Sequence, residues 1–231
     1  MSGELQITIY KGTISVALPG GEKYEFATTA LPDSFIEWQF TSRLKMFGEI
    51  GNHGASSVRR LPAHLPILGT SGPGTFPINL ASRGIGLLPK EEILEKTYEG
   101  FEKAKNEAAG RSWEESLPQR IEVARGFYAD STNFDQARLG GLEIFEGRTA
   151  RNLELNPLAS LLYTGDAPKY LSFQINCVVV RVREGDPHYR FLLSARELFA
   201  WDAFHLKQNR YPFGHLFHVV EVIDKTPFSR M

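Results

Sequence analysis

Hydrophobic and polar residues alternate over residues 5–29. Leu5, Ile7 and Ile9 form one alternating run, and Ile14, Val16 and Leu18 form a second. Pro19-Gly20-Gly21 supplies a turn, and Tyr24 and Phe26 open a return strand. A period of two broken by Gly and Pro predicts a hairpin. The pattern is lost from Phe47 to Pro89, where Gly48, Gly51, Gly54, Gly69, Gly72, Gly74, Gly84 and Gly86 are interleaved with five prolines. That density predicts a long extended connection with short strands at most, wrapping the core or a partner.

A helical period follows over 90–109. Leu94, Tyr98, Phe101, Lys105 and Ala108 recur on one side, Pro89 precedes the start and Gly110 ends it. Glu91 and Glu92 lie at the positive end of the dipole, where carboxylates are favoured. A second helix is expected from Trp113 or Pro118 to Tyr128, with Ile121, Val123, Ala124 and Phe127 as its apolar set. After Gly140-Gly141 the period changes again. A short strand over 142–145 leads to a helix over 148–155, which Asn156-Pro157 stops. Strands over 159–163 and 170–183 follow, the second carrying Leu171, Phe173, Ile175 and Cys177 on one face. A helix over 187–205 and a strand over 213–223 complete the reading.

Composition narrows the class. The chain has 231 residues, 42% apolar and 23% charged, which suits one elaborated domain with a buried core. Lys plus Arg number 26 against 27 acids. This near-balance gives no overall attraction to nucleic acid, and none is expected as a partner. The single cysteine, Cys177, excludes an intrachain disulfide framework. Met1-Ser2-Gly3-Glu4 begins no basic-then-apolar leader, and no apolar run approaches the roughly 18 residues of a spanning helix. A cytoplasmic protein with no membrane partner is the expectation.

Candidate chemistry concentrates at Gly147. A strand ending there delivers the backbone to a helix N-terminus, whose amides favour an anion. Arg148 can fork two hydrogen bonds onto phosphate oxygens, Thr149 adds a hydroxyl, and Arg151 lies three residues on. The competing reading makes the two arginines exposed partners of Glu146 and Glu154. Elsewhere, His53-Gly54-Ala55-Ser56-Ser57 and Thr70-Ser71-Gly72-Pro73-Gly74-Thr75 have the glycines and hydroxyls of a phosphate cradle, but lack the Gly-Lys-Ser/Thr ending of a P-loop and read first as turns. Arg59-Arg60 beside His64 reads as a solvated basic cluster. His215 and His218 fall on opposite faces of a strand, which disfavours a shared metal. Asp130, Asp135, Glu143 and Glu146 lack the neighbouring lysine of a metal-dependent nuclease.

The stretch from Leu142 to Leu162 resembles the pyridoxamine-phosphate-oxidase-like split-barrel superfamily. Strand, small residue, basic pair, Arg-Asn-Leu helix, Asn-Pro stop and second strand follow in that family's order. The long strand over 170–183 and the late Val220-Glu221-Val222 extend the likeness across about 140–225. Thr149 stands where the family usually has lysine. The resemblance implies an α+β fold: an antiparallel split β-barrel with flanking helices and a long Gly/Pro-rich insertion. The N-terminal strands (1–46), the insertion and helix (47–118) and the split-barrel-like part (119–231) then form one domain, with the strands expected before the motif drawn from residues 5–29. It also implies an FMN cofactor, with F420 or haem as family alternatives, held by Arg148, Thr149, Arg151 and Asn152 in a homodimer or a subunit of a complex. Tyr163 and His215 are the nearest acid–base candidates. The function implied is flavin-dependent oxidoreduction of an unknown substrate. The alternative is a non-catalytic subunit or binding protein that keeps the barrel without a cofactor.

Overall fold

The computed structural model describes residues 4–53, 62–165, 170–198 and 211–227. Strands β1 (Gln6–Tyr10), β2 (Thr13–Ala17) and β3 (Lys23–Ala27) form a small antiparallel sheet. Helix α1 (Asp33–His53) leads through a 3-10 turn to β4 (Ile67–Ser71), β5 (Ile78–Ser82) and β6 (Gly86–Pro89). Helices α2 (Glu91–Glu107) and α3 (Trp113–Phe127) come next, then β7 (Phe134–Leu142), α4 (Arg148–Leu155), β8 (Leu158–Thr164), β9 (Ser172–Val182), α5 (Pro187–Leu198) and β10 (Gly214–Asp224). Ser112 and Glu115 close the first turn of α3 reciprocally, each side chain taking the other's amide.

The main sheet has seven strands in the order β5-β4-β8-β9-β10-β7-β6, and all its pairs are antiparallel. Its two edges, β5 and β6, are separated in sequence only by residues 83–85. A flat sheet of this width would hold its edges roughly 28 Å apart at about 4.8 Å per strand. The four Cα steps available span at most about 14 Å. The sheet is therefore curled, and its edges approach one another.

The inner face carries the core. Leu68, Leu161, Ile175 and Phe217 are each at most 1% exposed. Phe35 of α1 meets the rings of Tyr163 at 5.1 Å and Phe173 at 5.4 Å, both edge-on. Helices α2 and α5 join through Phe101 and Phe191, 5.7 Å apart. The small sheet lies on the outer face, where Ile14 and Val16 pack against Val178.

The helices over 90–109 and 113–128, the α4 segment and the three following strands agree with the sequence reading. The expected helix over 187–205 is seen to Leu198, and residues 199–205 lie outside the described set. Three expectations change. The segment 47–89 has the short strands expected of it, but more regular structure than an extended connection: it holds the last turns of α1, and its three strands belong to the main sheet. The strands preceding the motif are β4 to β6, while residues 5–29 form the separate sheet. The strand before the motif ends at Leu142, so Gly140 and Gly141 are inside it. A Cβ on Gly140 would come within 2.6 Å of Leu88, and one on Gly141 within 2.6 Å of the Gly84 carbonyl. Close packing of β6 on β7 accounts for both glycines.

Candidate functional site

Helix α4 packs against β4 and β5 at one edge of the main sheet, and its two faces have different surroundings. Gly147 at the N-cap offers no side-chain acceptor to the first turn. Thr149 and Asn152 face inward, each 2% exposed. The Thr149 hydroxyl accepts from Asn79 at 3.0 Å and from Arg83 at 3.4 Å. Asn152 donates to the Thr70 hydroxyl at 3.2 Å. Its amide lies so close to Gly72 that a Cβ there would fall 2.3 Å from Oδ1. Glycine at that position is a requirement of this contact.

Arg148 and Arg151 face outward. With Asn152, Leu155 and the β4–β5 turn from Pro73 to Phe76 they line a pocket of about 440 Å³. The turn passes close over Arg148: Gly74 has φ +142°, and a Cβ on it would lie 3.1 Å from the guanidinium. Arg148 donates to the carbonyl of Phe76. Of the four residues named from the sequence, Arg148, Arg151 and Asn152 border the pocket, Asn152 from a buried position, and Thr149 is locked into the interior.

Beyond the same hairpin lies a groove of about 760 Å³ on the outer face of the sheet. Ile78 and Leu80 form one wall, and Phe26 and Val220 stand opposite. A polar strip crosses its floor. Ser160 and Gln174 bond Asn176 Oδ1 at 2.6 and 3.0 Å, and Asn176 donates to Glu221 at 2.5 Å. Thr70 and Ser71 line the groove, while residues 73–76 line the pocket. One hairpin therefore borders both spaces.

The acid–base candidates fare differently. Tyr163 is fully buried, donates to the Ile85 carbonyl at 3.2 Å and is pushed well up by burial. His215 lies between the rings of Phe213 and Phe217, at 5.2 and 6.1 Å, and burial pushes it down to about 3. His218 is pushed down to about 4, also by burial. Neither Tyr163 nor His215 lines the pocket or the groove. Cys177 is buried and its thiol pushed up, so it is held as a neutral apolar group. Asp130 caps the 3-10 turn after α3, and Asp135 pairs with Arg138. Most of the His53–Ser57 loop, and Arg59-Arg60, lie outside the described residues.

Sequence reasoning missed Arg83, Asn79 and Phe76, and treated the Thr70–Thr75 segment as turns. Arg83 and Asn79 reach α4 because it packs on the β4–β5 hairpin, and no spacing along the chain announces that. The Gly72–Gly74 run was the available signal.

Comparison with solved structures finds similar folds. HupZ of Group A Streptococcus is 13% identical over 79% of this chain and 93% of that one, with a TM-score of 0.38. A provisionally named pyridoxamine 5'-phosphate oxidase from Lactobacillus delbrueckii is 12% identical over 84% and 93%, with a TM-score of 0.38. Another from Listeria innocua is 9% identical over 79% and 97%, with a TM-score of 0.39. The chain is similar to pyridoxamine-phosphate-oxidase-like structures. No protein-family model matches it, and no curated protein does.

Proposed function

We propose that this protein is a split-barrel binder of a phosphate-bearing planar cofactor, FMN first, with the phosphate at Arg148 and Arg151. The observation that carries the reading is the pair of outward arginines on the first turn and a half of α4, over a pocket closed by a glycine-bearing turn. Two guanidinium groups beside a helix N-terminus favour a phosphate, and Arg148 can exchange its bond to a neutral carbonyl for a charged acceptor. The adjoining groove of about 760 Å³ has apolar walls and polar groups on its floor, the lining a planar ring would need.

A bound flavin would supply electron or hydride transfer. The chain's part is to hold it: Arg148 and Arg151 fix the phosphate end, and the strip Ser160, Gln174, Asn176 and Glu221 orients the ring edge. Thr149 and Asn152 serve indirectly, by anchoring α4 to β4 and β5. Oxidoreduction follows only in this sense, because no described acid or base lines the site beyond Glu221. The same reading takes the protein as a cytoplasmic homodimer, for which the exposed Ile67, Ile78, Leu80 and Leu162 offer apolar surface. Among the described residues no helix is long and apolar enough to cross a membrane.

The second reading, a binding protein or subunit without a cofactor, is favoured by one observation. Two of the cations near α4 already have internal acceptors: Arg148 has Phe76, and Arg83 has Glu143. Titration with FMN, followed by quenching of flavin fluorescence, separates the two. Saturable micromolar binding supports the first. Absence of binding of FMN, F420 and haem at that concentration leaves the second. Light scattering on the same preparation reports the dimer.

A further inference from the structure

Beneath α4 lies a carboxylate that the cofactor reading does not use. Glu143 follows β7 and is 1% exposed. Its Oε1 accepts the Phe145 amide at 3.1 Å and lies 3.8 Å from Arg83 Nη2. The same Nη2 reaches the Thr149 hydroxyl at 3.4 Å, on the first turn of α4. Arg83 Nε is buried without a hydrogen-bond partner. The guanidinium therefore has donor capacity to spare, in a partly enclosed place beside a helix start that a glycine leaves uncapped. Such a niche suits an anion, and the anion it holds is the chain's own.

We propose that Glu143 is a built-in anion that closes the Arg83 niche to phosphate- and sulfate-like dianions, leaving Arg148 and Arg151 to set the site's specificity from outside. The inference rests on the reading of α4 as an anion-binding helix. An incoming dianion and the Glu143 carboxylate compete for one guanidinium, and two like charges in an enclosed site repel strongly. When Glu143 loses its charge, Arg83 and the Phe145 amide remain, and the niche becomes cationic.

The groups facing Glu143 make its charge adjustable. Burial raises its pKa, opposed by Arg83, the amides of Phe145 and Ile144, and Arg181. Arg181 of β9 is itself paired with Glu154 of α4 at 2.9 Å. His215 of β10, near Arg83 and Arg181, is held neutral down to about 3. Acidification therefore neutralises Glu143 before it charges His215, and the niche opens on the acid side.

Calorimetric titration with sodium sulfate, a dianion throughout the range used, tests this. At neutral pH, Glu143→Gln should bind sulfate about tenfold to a hundredfold more tightly than the wild type, the value of one charge-assisted hydrogen bond. The double variant Glu143→Gln/Arg83→Gln should lose that gain. Wild-type affinity should rise as the pH falls from neutral, and this rise should vanish in both Glu143→Gln and Arg83→Gln. No tightening in Glu143→Gln, or tightening that survives loss of Arg83, overturns the proposal. If Glu143→Gln does not fold, the wild-type series decides against Arg83→Gln: a flat profile, or one that Arg83→Gln leaves unchanged, overturns it. Adding Arg148→Ala to Glu143→Gln separates the two sites. A gain retained there supports the niche even if the outer pocket holds no cofactor. A gain that requires Arg148 places the anion outside and overturns the niche.

Discussion

The inward and outward faces of α4 come from the same eight residues and have opposite tolerances. Inward, Thr149 and Asn152 are buried and bonded to Asn79, Arg83 and Thr70, and Gly72 is pressed against the Asn152 amide. Outward, Arg148 donates to the Phe76 carbonyl on the β4–β5 turn, and Arg151 is exposed over the pocket. A buried polar group left without a partner costs stability, whereas an exposed cation has water in reserve. The interior face thus fixes where the helix begins, and the exterior face is where a ligand can be exchanged for solvent. A residue's place in a motif does not say which of these tasks it has.

The largest effect expected on the interior side comes with acid. His215 and His218 are buried neutral, at about 3 and about 4 against the ordinary 6.5. Their folded pKa values are depressed, so the stability they allow is present above 6.5 and is lost as the pH falls towards those values. Each residue costs about 1.4 kcal/mol per pH unit traversed. Melting temperatures measured from pH 7 to pH 4 should fall accordingly, and His215→Leu should flatten the decline. An unchanged slope in that variant would place the acid sensitivity elsewhere.

Next come the packing contacts under α4. Asn152→Ala removes the bond to Thr70, and Gly72→Ala forces the Asn152 amide to move. Each should cost about 1–3 kcal/mol in urea unfolding. A neutral result for both would mean that the inner face does not anchor the helix.

The smallest effect belongs to the outer face. Arg151→Ala should change stability by no more than about 0.5 kcal/mol and weaken FMN binding by only a few-fold, roughly a single exposed ion pair. A large stability loss would erase the contrast between the two faces.

Much of this architecture was legible in the chain. The alternation of Phe173, Ile175 and Cys177 marks one face of β9, and Gly147 and Asn156-Pro157 bracket α4. Helix α1 was not foreseen. Its buried positions, Phe35, Ile36, Gln39, Arg43, Met46, Phe47 and Ile50, do keep helical spacing. Two of them are polar, however, and Gly48 and Gly51 interrupt the C-terminal turns, so the apolar stripe has little contrast. Strands β4 and β7 were obscured for another reason. Gly69, Gly72, Gly140 and Gly141 resemble loop punctuation, but they sit in or beside strands, and at Gly72, Gly140 and Gly141 neighbouring groups approach too closely for a side chain. Arg148 and Arg151 could be named because their chemistry is local. The role of Glu143 could not, because it depends on Arg83, which lies in the connection from β5 to β6, the strand that pairs with β7.

The central claim is that the outward face of α4 anchors a phosphate, and Arg148 tests it most directly. Titration of FMN into the wild type and Arg148→Ala, followed by flavin fluorescence, should show affinity weakened about tenfold to a hundredfold in the variant, with unchanged urea unfolding. Equal affinity in the two proteins would contradict the account, since the phosphate would then be held somewhere other than over Arg148.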